Sequence, residues 1–211
     1  FLVFLVISLV SGCKVNSVYD VYSADILEVA ESKTTIFAPG KVRIEVTGCE
    51  DNIDKVMTIA KNYYNVSSEA LCVSEGMDNF VEFSTEVPLV PFGENLTGNS
   101  PTGLSVRQNS ETEFELFAVL EKGRFAGMEA EVKEMDSTAS LEINLVTVIL
   151  NNDLRQTIRI ETPSAWINNN PQTFGNATLE RRQKADIVLS NVFSSALRSA
   201  GFASIGKVYL E

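Results

Sequence analysis

Apolar and polar positions alternate along much of the chain, and that period of two predicts strands with one covered face. In KVRIEVTG, Lys41 to Gly48, Val42, Ile44 and Val46 alternate with charges. FVEFSTEVPLV puts Val81, Phe83 and Val87 on one side, and TEFELFAVLE sets Phe114, Leu116, Ala118 and Leu120 against acids. SLEINLVTVIL is a further strand. The turn chemistry of Asn151 to Asp153 then leads into LRQTIRIE, so the two segments predict a hairpin. A short strand, IGKVYL, ends the pattern.

Between these runs the period lengthens to that of a helix. Ser23 caps a short helix with Ile26, Leu27 and Ala30 on its apolar face. DNIDKVMTIAKNYY carries Ile53, Val56, Met57 and Ala60 at helical spacing, with acids in its first turn. RFAGMEAEVKEM places Phe125, Met128, Val132 and Met135 near one face, although Gly127 weakens the helix. The strongest helical pattern is the series Ala185, Val188, Leu189, Val192, Phe193, Ala196, Leu197 and Ala200, with Gly201 at the C′ position. The expectation is an α+β fold: a mixed or antiparallel sheet, helices packed on one face, and a long amphipathic helix near the C-terminus. Pro91 to Gly103 and Ser164 to Asn176, rich in Gly, Pro and Asn, read as loops.

The first residues obey a different rule. FLVFLVISLV is ten residues, half of what a transmembrane helix needs, and has the length of a signal-peptide h-region. No Lys or Arg precedes it, so a positive n-region is expected ahead of Phe1. The run closes on Val10-Ser11-Gly12-Cys13 after Leu9, which resembles the lipobox of bacterial lipoproteins. The resemblance covers about the first 13 residues. It implies a diacylglyceryl thioether on Cys13, cleavage between Gly12 and Cys13, and acylation of the new amine. Two or three acyl chains hold a protein firmly on a bilayer, since each buried CH₂ contributes about 0.8 kcal/mol. Lys14 in place of Asp leans towards the outer membrane of a Gram-negative cell, on its periplasmic face. The domain plan is then residues 1–12 as signal peptide, 13–38 as lipidated tether with a short helix, and 39–211 as one α+β domain. Beyond the lipobox, the arrangement resembles small lipoproteins carried by phages and other mobile elements.

Export changes the reading of the other two cysteines. Cys49 and Cys72 are an even pair in an oxidising compartment, and a structural disulfide is favoured. The closed loop runs from 49 to 72, and closing it stabilises the fold by about 3.4 kcal/mol in the chain-entropy model. A metal site would need more ligands at close spacing.

Charge and composition narrow the function. The net charge is −11, which argues against nucleic acid, whose phosphates require a Lys/Arg footprint. The absence of His removes the commonest general base and the Ser-His and Cys-His nucleophile pairs. No phosphate, dinucleotide, calcium or nucleophile-elbow motif occurs, and no cofactor is expected. Glu113 and Glu115 share one strand face and suit acid–base work or Ca²⁺, but a solvated sheet face is the preferred reading in a chain with 28 acids. Trp166 and Phe174, set among amides, are candidates for partner contact; the commoner role of such a Trp is to close one end of a core. Asn65, Asn95 and Asn176 begin N-x-[ST] sequons, which carry meaning only in a eukaryotic secreted chain.

The expected function is therefore that of a lipid-anchored, non-catalytic interaction module of the bacterial envelope. It would be held by acyl chains on Cys13 and would bind another envelope protein, as an assembly or exclusion factor. It predicts an exposed aromatic patch near Trp166 or the 91–103 loop. The alternative is a carrier of lipid or another apolar ligand, which predicts a cavity against the final helix.

Overall fold

The computed structural model of the protein describes residues 12–135, 137 and 139–211. Strands dominate, at 53% against 25% helix. In chain order the elements are β1 (Gly12–Tyr22), α1 (Ser23–Ser32), β2 (Ile36–Val46), α2 (Cys49–Tyr63), β3 (Asn65–Val66), β4 (Leu71–Glu75), β5 (Asp78–Pro91), β6 (Thr102–Gln108) and β7 (Glu113–Leu120). They continue with α3 (Lys122–Met135), β8 (Ser140–Asn151), β9 (Ile158–Ile167), β10 (Asn170–Leu179), β11 (Lys184–Leu189), α4 (Asn191–Ala200) and β12 (Phe202–Leu210).

All twelve strands join one sheet. Its main path runs β10-β9-β11-β8-β1-β2-β5-β6-β7-β12, and β12 also pairs with β9. β9 meets β12 through Ile158 to Glu161 and β11 through Ala165 to Ile167, so the circuit of pairings closes. The β1–β8 and β5–β6 pairs are parallel and the others antiparallel. Closure removes most free edges, the exposed backbone rows that invite aggregation.

The inward face of this circuit carries two clusters. The larger one gathers Tyr19, Leu89, Leu104, Leu116, Leu150 and Ile160 from around the circuit, together with Ile26 of α1 and Phe193 and Leu197 of α4. The smaller one lies under α2 and α3 and holds Val15, Val42, Ile44, Val81, Phe83 and Met128. Residues 15, 19 and 21 of β1 thus face the same way yet serve both clusters. A bulge opposite Val15 and Asn16 lets β8 do likewise: Leu141 and Ile143 point inward before it, and Val146, Val148 and Leu150 after it.

This architecture corrects the expected fold class. The helices are four and short, and they do not form one layer. α1 touches β1, β2, β5 and β6, α4 touches β7, β8 and β12, and α2 packs with α3. No long C-terminal helix exists among the described residues. Its first part is β11, where Ala185, Ile187 and Leu189 alternate inward, and Ser190 then caps α4 by accepting the Phe193 N–H. Gly201 does end that helix, at φ 87°. The expected hairpin of β8 with residues 154–161 is also absent, because β8 pairs with β1 and β11. The stretch read as a tether, 13–38, supplies β1, α1 and the start of β2, and β1 lies mid-sheet between β8 and β2. Residues 1–11, which hold the apolar run, lie outside the described residues.

Candidate functional site

The disulfide forms between Cys49, the first residue of α2, and Cys72 in β4, with Cα atoms 5.7 Å apart. It ties α2 to β4, which itself pairs with β5. α2 is also fixed to α3. Tyr63 and Asn62 donate hydrogen bonds to Glu131 at 2.8 and 3.0 Å, and Gly127 admits the Tyr63 ring where a Cβ would meet its hydroxyl at 3.0 Å. The glycine that weakened the sequence pattern is thus the contact point of the two helices.

Cys13 is half-buried in β1, opposite Leu141 of β8. It lines an apolar groove of about 190 Å³ with Ile44, Val46, Val56, Ile59, Val132 and Leu141. On the opposite, outer face of the same strands lies an ionic lattice. Lys14 pairs with Asp78 at 2.6 Å, and Glu82 accepts from Lys41 at 3.2 Å and from Arg43 at 2.5 Å. Burial works against the charged form of Glu82, but its bonds to Arg43 and Lys41 outweigh that and hold its carboxyl below the usual range.

Trp166 and Phe174 do not lie on a loop. Ser164 to Asn176 forms most of the β9–β10 hairpin, turned by Asn168 and Asn169, which both adopt positive φ. Asn168 anchors the turn by exchanging hydrogen bonds with the Asp186 backbone, both 2.9 Å. Both aromatics point outward, Phe174 85% and Trp166 50% exposed. They line different depressions, Trp166 with Pro171 and Ser190, and Phe174 with Glu115, Glu161, Ser204 and Lys207.

The Phe174 depression, about 360 Å³, is the better-built of the two. Its far wall continues through Glu115, which binds Arg107, into an aromatic cluster that the sequence reading did not single out. Phe117 lies 4.8 Å from Phe92 and 6.3 Å from Phe202 between ring centres, and the Arg107 guanidinium sits over Phe92 and Phe117 at 5.0 and 5.1 Å. Phe92 and Phe202 are about half exposed. Phe92 falls within the 91–103 segment, whose remainder is tied down where Arg124 donates to the Leu96 and Ser100 carbonyls. The three phenylalanines are far apart in sequence and meet through the β5–β6–β7–β12 pairing, Phe92 lying just past the end of β5. Aromatic side chains, Phe included, and Arg are enriched at the cores of protein interfaces.

Glu113 and Glu115 are committed elsewhere. A hydrogen bond from Lys207 holds the Glu113 carboxyl below its ordinary value. For Glu115 burial opposes the charge, but Ser204, donating at 2.8 Å, and Arg107 prevail and lower it as well. Both are anions, and neither is poised as a proton donor near neutral pH. Among the described residues no group of three or more Cys, Asp or Glu is placed to hold a metal. No helix among them is long and apolar enough to cross a membrane.

A family model described as Domain of unknown function (DUF7424) matches residues 15–209. The chain belongs to that family. No curated protein and no solved structure matches it. The matched span holds the disulfide, the aromatic cluster and the Phe174 depression. Cys13 lies two positions ahead of it.

Proposed function

We propose that this protein is a lipid-anchored, non-catalytic interaction module of a bacterial envelope. Acyl chains on Cys13 fix it to the membrane, on the periplasmic face of the outer membrane in a Gram-negative cell. It binds another envelope protein through the surface that runs from Phe174 to Phe92 and Phe202. The observation that carries this reading is that surface: a depression of mixed polar and apolar lining, flanked by exposed aromatic rings and a stacked arginine. The lipid attachment rests on Leu9 to Cys13 and its lipobox resemblance. The carrier alternative needs room for a ligand. Side chains from around the circuit fill the interior, and α4 packs into that core.

A photo-crosslinking residue at 174 or 202, placed in the full-length protein in its producing cell, tests the partner surface. The same residue at Phe37, exposed on β2, is the control. One common adduct from 174 and 202, absent from 37 and lost from 174 when Phe202→Ala is added, is expected. Adducts of equal yield at all three positions, or none at 174 and 202, would overturn the interface. Intact mass of the extracted protein tests the anchor separately.

A further inference from the structure

We infer that the groove beside Cys13 is the seat of the protein's own lipid: the first part of an acyl chain attached to Cys13 lies between α2, α3 and the inward face of β2. This deepens the anchor reading of Cys13 and rests on it. The occupant is fixed by where it starts. Cys13 lines the groove itself, so a diacylglyceryl group on its sulfur starts inside a site that is mostly aliphatic, through Ile44, Val56, Ile59, Val132 and Leu141, with Thr47, Asn52 and Lys55 also in its lining.

Backbone geometry adds a second constraint. A lipidated residue on a flexible tether can leave its chains wholly in the bilayer. Cys13 is instead held in β1 opposite Leu141 of β8, with β2 joining from Val15 onward, and Lys14 beside it is pinned on the outer face by Asp78 and Glu45. Neighbouring residues of a strand point to opposite faces, so Lys14 outward sends Cys13 inward. The groove's size then divides the lipid. At about 190 Å³ it is smaller than the 300–1,000 Å³ or so of sites that enclose drug-sized ligands. It therefore takes the near end of one chain and leaves the rest to the membrane. Removing those methylenes from water follows the usual area rule, and the same burial covers the exposed edge of the small cluster.

The experiment uses full-length protein extracted from membranes in mild detergent, with intact mass measured first. Hydrogen exchange over α2 and α3 is then compared between the acylated protein and Cys13→Ser in the same micelles. Acylation is expected to slow exchange in both helices about fivefold, because local opening must expel the chain. A third sample, Val132→Lys, places a charge in the groove while keeping Cys13 and its lipobox unchanged. With normal acyl mass, its exchange should return to that of Cys13→Ser. Acylated protein exchanging like Cys13→Ser overturns the groove assignment and leaves the anchor standing. So does a Val132→Lys protein that stays protected, since the micelle alone then supplies the protection. A chain of unacylated mass overturns both.

Discussion

The two clusters on the inward face share β1, β5 and β8 but are held by different means. The large one is enclosed by the circuit, so each buried side chain is surrounded by strands that are distant in sequence. Leu116 of β7, Leu150 of β8 and Ile160 of β9 share it, all fully buried. The small one has sheet on one side and only α2 and α3 on the other. There the protein adds a disulfide, an inter-helix hydrogen-bond pair on Glu131, and an ionic lattice on the sheet's outer face. Ion pairs also line the outer face of the circuit, as Arg107–Glu115 and Lys207–Glu113 do, so what sets the open-sided layer apart is its covalent tie and its helix-to-helix bonds. The open side is also where the Cys13 groove lies.

The sharpest way to break this contrast is to remove what holds each region. Leu116→Ala in the enclosed core is expected to lower stability by about 3–5 kcal/mol, with thermal unfolding shifted as one cooperative transition. Removing the disulfide with Cys49→Ala and Cys72→Ala is expected to lower it by about 3 kcal/mol. Its signature differs: hydrogen exchange should rise first in α2 and β4, while the circuit strands keep their protection. Uniform loss of protection across β7, β8 and β9 in the cysteine variant would show that the two regions unfold as one.

The same contrast decides what was legible in the sequence. Strands with one covered face, such as β2 and β7, are plain from alternation. Of the helices that cap the open layer, α2 shows clear helical spacing because only one side of it is apolar, while α3 shows it weakly, with Met128 its one fully buried residue. Enclosure erases such signals. β5 is buried on both faces, down to Glu82 and Thr85, so its pattern does not say how many neighbours it has. In β11 and α4 a strand and a helix adjoin, and Ala185, Val188 and Leu189 happen to fit the spacing of the helix that follows. The mark that separates them is Ser190, a capping residue in the middle of the run. The β9–β10 hairpin was hidden because its outward residues are amides and aromatics and its inward ones are partly Gly and Thr; only Asn168-Asn169 signalled a turn. For the site, the Cys49–Cys72 pairing was readable locally. The cluster of Phe92, Phe117 and Phe202 was not, since the register of four strands creates it.

A smaller effect tests the polar side of the open layer. Glu82 has a folded pKa below its unfolded one, so its contribution is complete above the unfolded carboxylate range, near pH 4.3, and is lost as pH falls through the folded value. Glu82→Gln is expected to cost about 1–2 kcal/mol at pH 7, because Arg43 keeps only a neutral acceptor. The difference between variant and parent should shrink as pH drops below about 4. Denaturant unfolding at pH 7 and pH 3 measures it. A gap that is constant with pH would mean that the side chain acts through packing and not through its charge.

The smallest expected effect is the most informative about purpose. Phe174→Ser replaces a large apolar ring that is 85% exposed and lies on β10, whose only described strand partner is β9. Substitutions at such exposed positions usually change stability by less than about 0.5 kcal/mol. A fold gains nothing measurable from a phenylalanine placed there, and an exposed ring beside a sheet edge carries an aggregation risk. Thermal unfolding of Phe174→Ser should therefore match the parent, while solubility at high concentration should improve. If the variant instead loses more than about 1 kcal/mol, the ring is doing structural work in the hairpin. Its exposure would then cease to argue for a partner, and the interface would have to rest on Phe92, Phe202 and Arg107 alone.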